Sequence, residues 1–271
     1  MTPNLPGVRA VIFDISGTVM DFGSRGPVAA FVELFARHGV AITEAEARMP
    51  MGKHKLDHVW ALLTHPPVAE RWQQVHGELP DQETLHRIYA GFGALQTEVL
   101  KGYLDLLPGV ADVTAQLQKQ GIRIASTTGF ETSMMTDVKA AAAAQGYTPE
   151  FWVCPDLTGG GRPAPWMIYY AARQLGVYPL RTFVKVGDTE ADLGEAANAG
   201  VWAVSVVRTG NEIGLSREQL AALPEAAREA RFAAARERFL AWGAHYVIDS
   251  VADLLPVIAA VSERIERGER P

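Results

Sequence analysis

Short apolar runs rich in β-branched residues alternate with stretches of helical spacing along most of this chain. The runs are VRAVIFD (8–14), IRIAS (122–126), FWVC (151–154), TFVKVGD (182–188), WAVSVV (202–207) and HYVID (245–249). Their near-continuous apolar character predicts strands covered on both faces, as in a parallel sheet. Alternation with helices makes the fold class α/β, a parallel-sheet core.

The period changes between the first and second runs. Residues 23–104 hold no convincing strand and read as helices: PVAAFVELFARHG, TEAEARM, Pro50 to about Leu63, AERWQQVHG, and Asp81 to about Leu100. A block of this length exceeds an ordinary βα connection. It is expected to be an inserted all-helical cap domain (23–104) on an α/β core domain (1–22 and 105–271). Further on, the charged tract 217–243 reads as a covering helix with a solvated face. The run AAAAA (140–144) reads as helix stopped by Gly146.

Composition narrows the function classes. A net charge of −6 and a pI near 5.7 argue against a nucleic-acid surface. No apolar run approaches the ~20 residues of a membrane span. The opening MTPNLPGVRAVIFD lacks the basic-then-apolar pattern of a signal peptide. Cys154 is the only cysteine and has apolar neighbours, so no internal disulfide forms. It reads as a structural thiol, and a reducing cytoplasm is the expected location.

The candidate chemistry sits at the carboxyl ends of the strands, where open α/β sheets bind ligands. Asp14 ends the first run in FDISGTVMD. Asp188 ends the fourth in VGDTEAD, and Asp192 follows four residues later. Converging carboxylates repel one another, and a hard divalent cation such as Mg²⁺ relieves that repulsion. Ser126, Thr127 and Thr128 close the second run, and Gly129 leaves backbone N–H groups to face an anion. Arg162 in GGGRPAPW offers a planar fork for phosphate oxygens.

Together and in this order, these motifs resemble the haloacid dehalogenase superfamily of phosphotransferases. The resemblance implies a Rossmann-like parallel-sheet core with a helical cap, Asp14 as nucleophile, Thr128 as the phosphate-binding hydroxyl and Arg162 as the basic residue. GDTEAD would be the metal motif. Phosphatases of the superfamily carry a second Asp two residues after the nucleophile, and here that position is Ser16. A hydroxyl is a poor general acid, so the leaving group must be one that needs no such proton. A carbanion drained into an iminium on a lysine meets that condition.

PMGKHKLDH (50–58) supplies lysines. Read as a helix from Pro50 and counted at about 100° per residue, Met51, Lys55, His58 and Leu62 share a largely apolar arc. Lys53 falls on the opposite face, and His54 is not excluded. Lys55 is therefore the lysine placed for desolvation, which frees its amine.

This region is similar to one branch of the superfamily, the phosphonoacetaldehyde hydrolases. The matching stretches are GVAIT, EAEAR and PMGKHKLDH, then STTG, GRP, VKVGDT and GAHY. The resemblance implies a Schiff base on Lys55, with Met51 and His58 around it, and an aspartyl phosphate on Asp14. Thr128, Gly129, Arg162 and Ser24 would contact the small-molecule phosphonate. Asp14, Ser16, Asp188 and Asp192 would form a Mg²⁺ site, and the cap domains would pair in a homodimer. The chain departs from the family's usual residues at Ile15, Ser16, Ser24 and Phe130, which bears on the proton relay and on the substrate. Competing readings are a hydrolase for a related carbonyl phosphonate or another phosphorylated metabolite, a metal-free dehalogenase, and a catalytically weak phospholigand-binding protein.

Overall fold

The computed structural model describes residues 7–271. Residues 1–6, where the expected core segment 1–22 and the stretch read for a signal peptide begin, lie outside that range. All the apolar runs form strands: β1 (Ala10–Phe13), β2 (Arg123–Thr127), β3 (Phe151–Val153), β4 (Phe183–Gly187), β5 (Trp202–Val206) and β6 (Tyr246–Ile248). They make one six-stranded sheet in the order β3-β2-β1-β4-β5-β6, with every pairing parallel. The order reverses between β1 and β4, and the crevice at such a switch point is where ligands bind in doubly wound sheets. Phe13 pairs with Val186 there, so Asp14 and Asp188 leave the sheet side by side.

Alternation along β1 divides the core. Val11 and Phe13 pack with Ile124, Val184, Val204 and Leu117, the last from helix α7 (Val110–Lys119). Ala10 and Ile12 pack on the other face with Met167 and Ala171 of α9 (Trp166–Leu175) and Leu193 and Ala196 of α10 (Glu190–Ala199). Six helices fill residues 23–104, as the missing strand pattern predicts: α1 (Arg25–Arg37), α2 (Glu44–Arg48), α3 (Lys55–Leu63), α4 (Pro66–His76), α5 (Gln82–Tyr89) and α6 (Phe92–Leu100). The chain leaves and re-enters the sheet layer along one seam. There Leu107 N–H donates to Val19 O at 2.8 Å and Asp21 N–H to Asp105 O at 3.2 Å. No helix among the described residues is long and apolar enough to cross a membrane.

The structure corrects some helix boundaries. The stretch 81–100 is two helices broken at Ala90–Gly91, and 217–243 is two broken before Pro224: α11 (Arg217–Ala222) and α12 (Glu225–Ala241). Proline removes an amide donor and clashes with the preceding turn. The expected helix from Pro50 starts only at Lys55. Gly52 adopts φ +88°, a turn conformation that no helix accepts.

Candidate active site

Asp14 follows β1 directly, its amide donating to Val186 O at 2.9 Å, and its side chain is almost wholly buried. Asp188 follows β4. One of its oxygens accepts from Thr18 Oγ1 at 3.0 Å and the other from Asn211 N–H at 2.8 Å. Asp192 lies in the first turn of α10, where its Oδ2 accepts from Thr189 Oγ1 at 2.6 Å in a capping box. One oxygen from each of these three buried carboxylates lies within 4.8 Å of the others.

The cations beside them are unevenly shared. Arg162 Nη1 is 2.7 Å from Asp14 Oδ1 and 3.1 Å from Asp192 Oδ1. Lys185 Nζ, pointing from β4, is 3.0 Å from Asp192 Oδ1, and no cation pairs with Asp188 among the described residues. Burial, then the charges of Asp14 and Asp192, hold the Asp188 carboxyl well above its ordinary range. Burial and Asp192 likewise raise Asp14, against the pull of Arg162. Burial pushes Asp192 up too, but Arg162 and Lys185 outweigh it and the net shift is downward. The deficit of positive charge is thus on the side of Asp188. A buried, all-oxygen donor set with that deficit fits a hard divalent cation.

Arg162 lines the cavity, but its donors are committed within the protein. Besides Asp14 and Asp192 it reaches Thr127 O at 2.7 Å, Thr127 Oγ1 at 2.8 Å and Glu195 Oε2 at 3.0 Å. Burial alone would lower its pKa, yet Asp14, Asp192 and Glu195 together raise it and keep it charged. In this arrangement Arg162 bears directly on Asp14. Thr128 N–H donates to Val153 O at 3.2 Å and Phe130 N–H to Thr128 Oγ1 at 3.2 Å. The Gly129 N–H is left without a protein acceptor among the described residues, and so is the Thr128 hydroxyl proton.

The helical insert supplies the facing wall. Lys55 is the first residue of α3, buried at 3% exposure, and no carboxylate pairs with it among the described residues. Its Nζ lies 5.3 Å from the centroid of the Phe31 ring and 5.1 Å from that of Phe130. Burial lowers its pKa to about 7, only partly opposed by Asp14. His58, one turn on, stacks on Phe31 at 3.7 Å, and its Nε2 is 2.9 Å from Ala47 O. Burial, then Lys55, push its pKa well below the usual histidine value, which makes the ring neutral with Nε2–H donating. Nδ1 is then a buried acceptor without a partner. Lys53 is exposed. His54 turns away toward Asp57 and Glu131, 3.9 and 3.6 Å off.

Asp14, Ser16, Ser24, Met51, Lys55, Thr128, Gly129 and Arg162 all line one cavity, closed by Gly52, Phe130 and Thr189, with about 20 Å³ of free space. The two walls meet closely. A Cβ on Gly129 would collide with the Lys53 carbonyl oxygen, and one on Gly52 with Thr189 Oγ1. Asp188, Asp192 and His58 stand behind the lining, touching it through the contacts above. Lys185, Glu195 and Asn211 escaped the sequence reading. Lys185 had a visible signal, a lysine inside an otherwise apolar strand; the others are joined to the site only by folding.

Comparison with known proteins agrees with this geometry. Residues 8–200 match the profile of the haloacid dehalogenase-like hydrolases. The phosphonoacetaldehyde hydrolase of Paraburkholderia phytofirmans is 44% identical over 264 residues, 97% of this chain and 99% of the relative. That of Nitratidesulfovibrio vulgaris is 42% identical over 264 residues, 97% and 94% of the two chains. The crystal structure of a phosphonoacetaldehyde hydrolase-like protein from Oleispira antarctica is similar at a TM-score of 0.96 and 40% identity, covering 100% of this chain and 99% of that one.

Proposed function

Because the chain belongs to the phosphonoacetaldehyde hydrolase family of the haloacid dehalogenase-like hydrolases, we propose that it cleaves the C–P bond of phosphonoacetaldehyde to give acetaldehyde and phosphate. The observation that carries this reading is a single cavity with an unpaired, buried amine on one wall and a strand-end carboxylate on the other. On this reading residues 23–104 are a cap domain on a core of 1–22 and 105–271. The caps pair in a homodimer, and the protein works in the cytoplasm.

The neutral amine of Lys55 attacks the aldehyde carbon, and loss of water leaves a protonated imine. The bare Nδ1 of His58 takes and returns the protons of these steps. Asp14 attacks phosphorus as the C–P electron pair moves into the imine, giving an enamine and an aspartyl phosphate. Protonation of the enamine and hydrolysis of the imine release acetaldehyde and free the lysine. Water then cleaves the aspartyl phosphate. Arg162 keeps Asp14 ionised and aimed, while the Thr128 hydroxyl and Gly129 N–H meet the phosphoryl oxygens as their charge grows. The carboxylates of Asp14 and Asp188 and the carbonyl of Ser16 would hold Mg²⁺, with Asp192 behind them, and the bound ion would supply positive charge against those oxygens. Ser24 and Met51 bound the substrate on the cap side.

A related carbonyl phosphonate is the second reading. The apolar ring of Phe130 beside Lys55 favours it, since that ring suits a larger carbonyl substituent. The buried acidic triad stands against a metal-free dehalogenase. Borohydride reduction with phosphonoacetaldehyde present, followed by peptide mapping, tests the proposal. A reduced adduct on Lys55 is expected; no adduct, or one on Lys53, would overturn the imine route.

A further inference from the structure

Arg48 ends α2, three residues before Met51, and its side chain is 14% exposed. Its guanidinium does not serve its own helix alone. Nη1 donates to Gly23 O at 2.9 Å, Ser24 O at 3.2 Å and Asn211 Oδ1 at 3.2 Å, and Nη2 to Gly214 O at 2.9 Å. The acceptors lie on two separate segments: the stretch by which the chain leaves the sheet layer, and the loop after β5. That loop also holds the acidic site. Asn211 N–H donates to Asp188 Oδ2 at 2.8 Å, Thr209 Oγ1 to Gly17 O at 2.6 Å, and Gly23 N–H to Thr209 O at 2.7 Å. The nearest carboxylate, Glu44, is exposed and 4.0 Å away, too far for a hydrogen bond. The donors are thus spent on bridging, in a fork geometry that a lysine's point charge cannot reproduce.

We propose that Arg48 is a positioning residue that ties the closed cap to the loop holding Asp188, so that C–P cleavage depends on it and imine formation does not. The inference rests on the imine and aspartyl-phosphate reading above. The two half-reactions sit on opposite sides of the seam. Lys55 meets the aldehyde within the cap, whereas attack by Asp14 on phosphorus requires both walls in register. Misregister on the order of 1 Å is enough to cost about 100-fold in rate.

The test compares Arg48→Ala and Arg48→Lys with wild type by three measurements: phosphate release, the final extent of borohydride trapping on Lys55, and hydrogen exchange of amides 49–55. For Arg48→Ala, kcat is expected to fall about 10- to 100-fold with trapping within about threefold of wild type. Exchange at 49–55 is expected to quicken, and Arg48→Lys to recover only part of the loss. A kcat within twofold of wild type, or turnover and trapping falling in parallel with thermal stability, would overturn the proposal. If wild type itself gives no adduct, the imine reading fails and the latch is judged by exchange alone. Wild-type exchange rates at 49–55 in Arg48→Ala would then overturn it.

Discussion

Two lysines are buried within this site to nearly the same degree, and their surroundings are opposite. Lys185 has three acidic or hydroxyl oxygens within 3.2 Å, from Thr127, Asp192 and Glu195. Lys55 has two aromatic faces and, among the described residues, no carboxylate partner. Burial by itself therefore says little about a cation. Matched with carboxylates it is a structural ion; left with hydrocarbon it is drawn toward the neutral amine, with a pKa near 7. The core matches its cations to carboxylates, Asp14 among them, and the helical insert leaves one cation unmatched.

Replacing Lys185 breaks the comparison from the structural side. Lys185→Met leaves Asp192 and Glu195 short of a buried partner and is expected to destabilise by about 3–5 kcal/mol in denaturant unfolding. A loss below about 1 kcal/mol would mean the network is not built as its distances indicate.

The pH profile sharpens the other side. Only the deprotonated amine attacks, so kcat/KM should fall about tenfold per pH unit below the pKa near 7 and level off above it. A profile that keeps rising to pH 10 would show that Lys55 is not desolvated when it reacts.

Lys55→Met gives the most direct contrast, since it should stabilise while abolishing turnover. An unfolded lysine takes up a proton below about pH 10.4, whereas the folded one does so only below about 7. Burial therefore costs stability that grows as pH falls from 10 to 7 and is constant below that. The variant is expected to gain a few kcal/mol at pH 7, at about 1.4 kcal/mol per unit of lowered pKa, and much less at pH 10. An equal gain at both values would leave the gain to packing alone.

The strands were legible because a short, β-branched apolar run bounded by turn residues fits little besides the interior of a covered sheet, and the long strandless block announced the insert. Helix ends were less so. Gly52, Gly91 and Pro224 were visible in the chain, yet the apolar spacing around them suggested continuous helices. Within the site, Asp14, Lys55, Thr128 and Asp188 could be found because each stands at a strand end or on an apolar helix face. Arg162 could be found as well, but its pairing with Asp14, Asp192 and Glu195 could not. Glu195 and Asn211 carry no local pattern; the fold alone brings them to Arg162 and Asp188.

The cavity between the two walls leaves about 20 Å³ free, room for roughly one water molecule. The proposed substrate, a phosphonate with its aldehyde, is several times larger, so on that proposal the walls part and meet again in every catalytic cycle. The seam is then a clock as well as a seal. Opening of this kind runs on microsecond-to-millisecond times, and once the bond chemistry is faster than that stroke, solvent viscosity sets the ceiling on turnover.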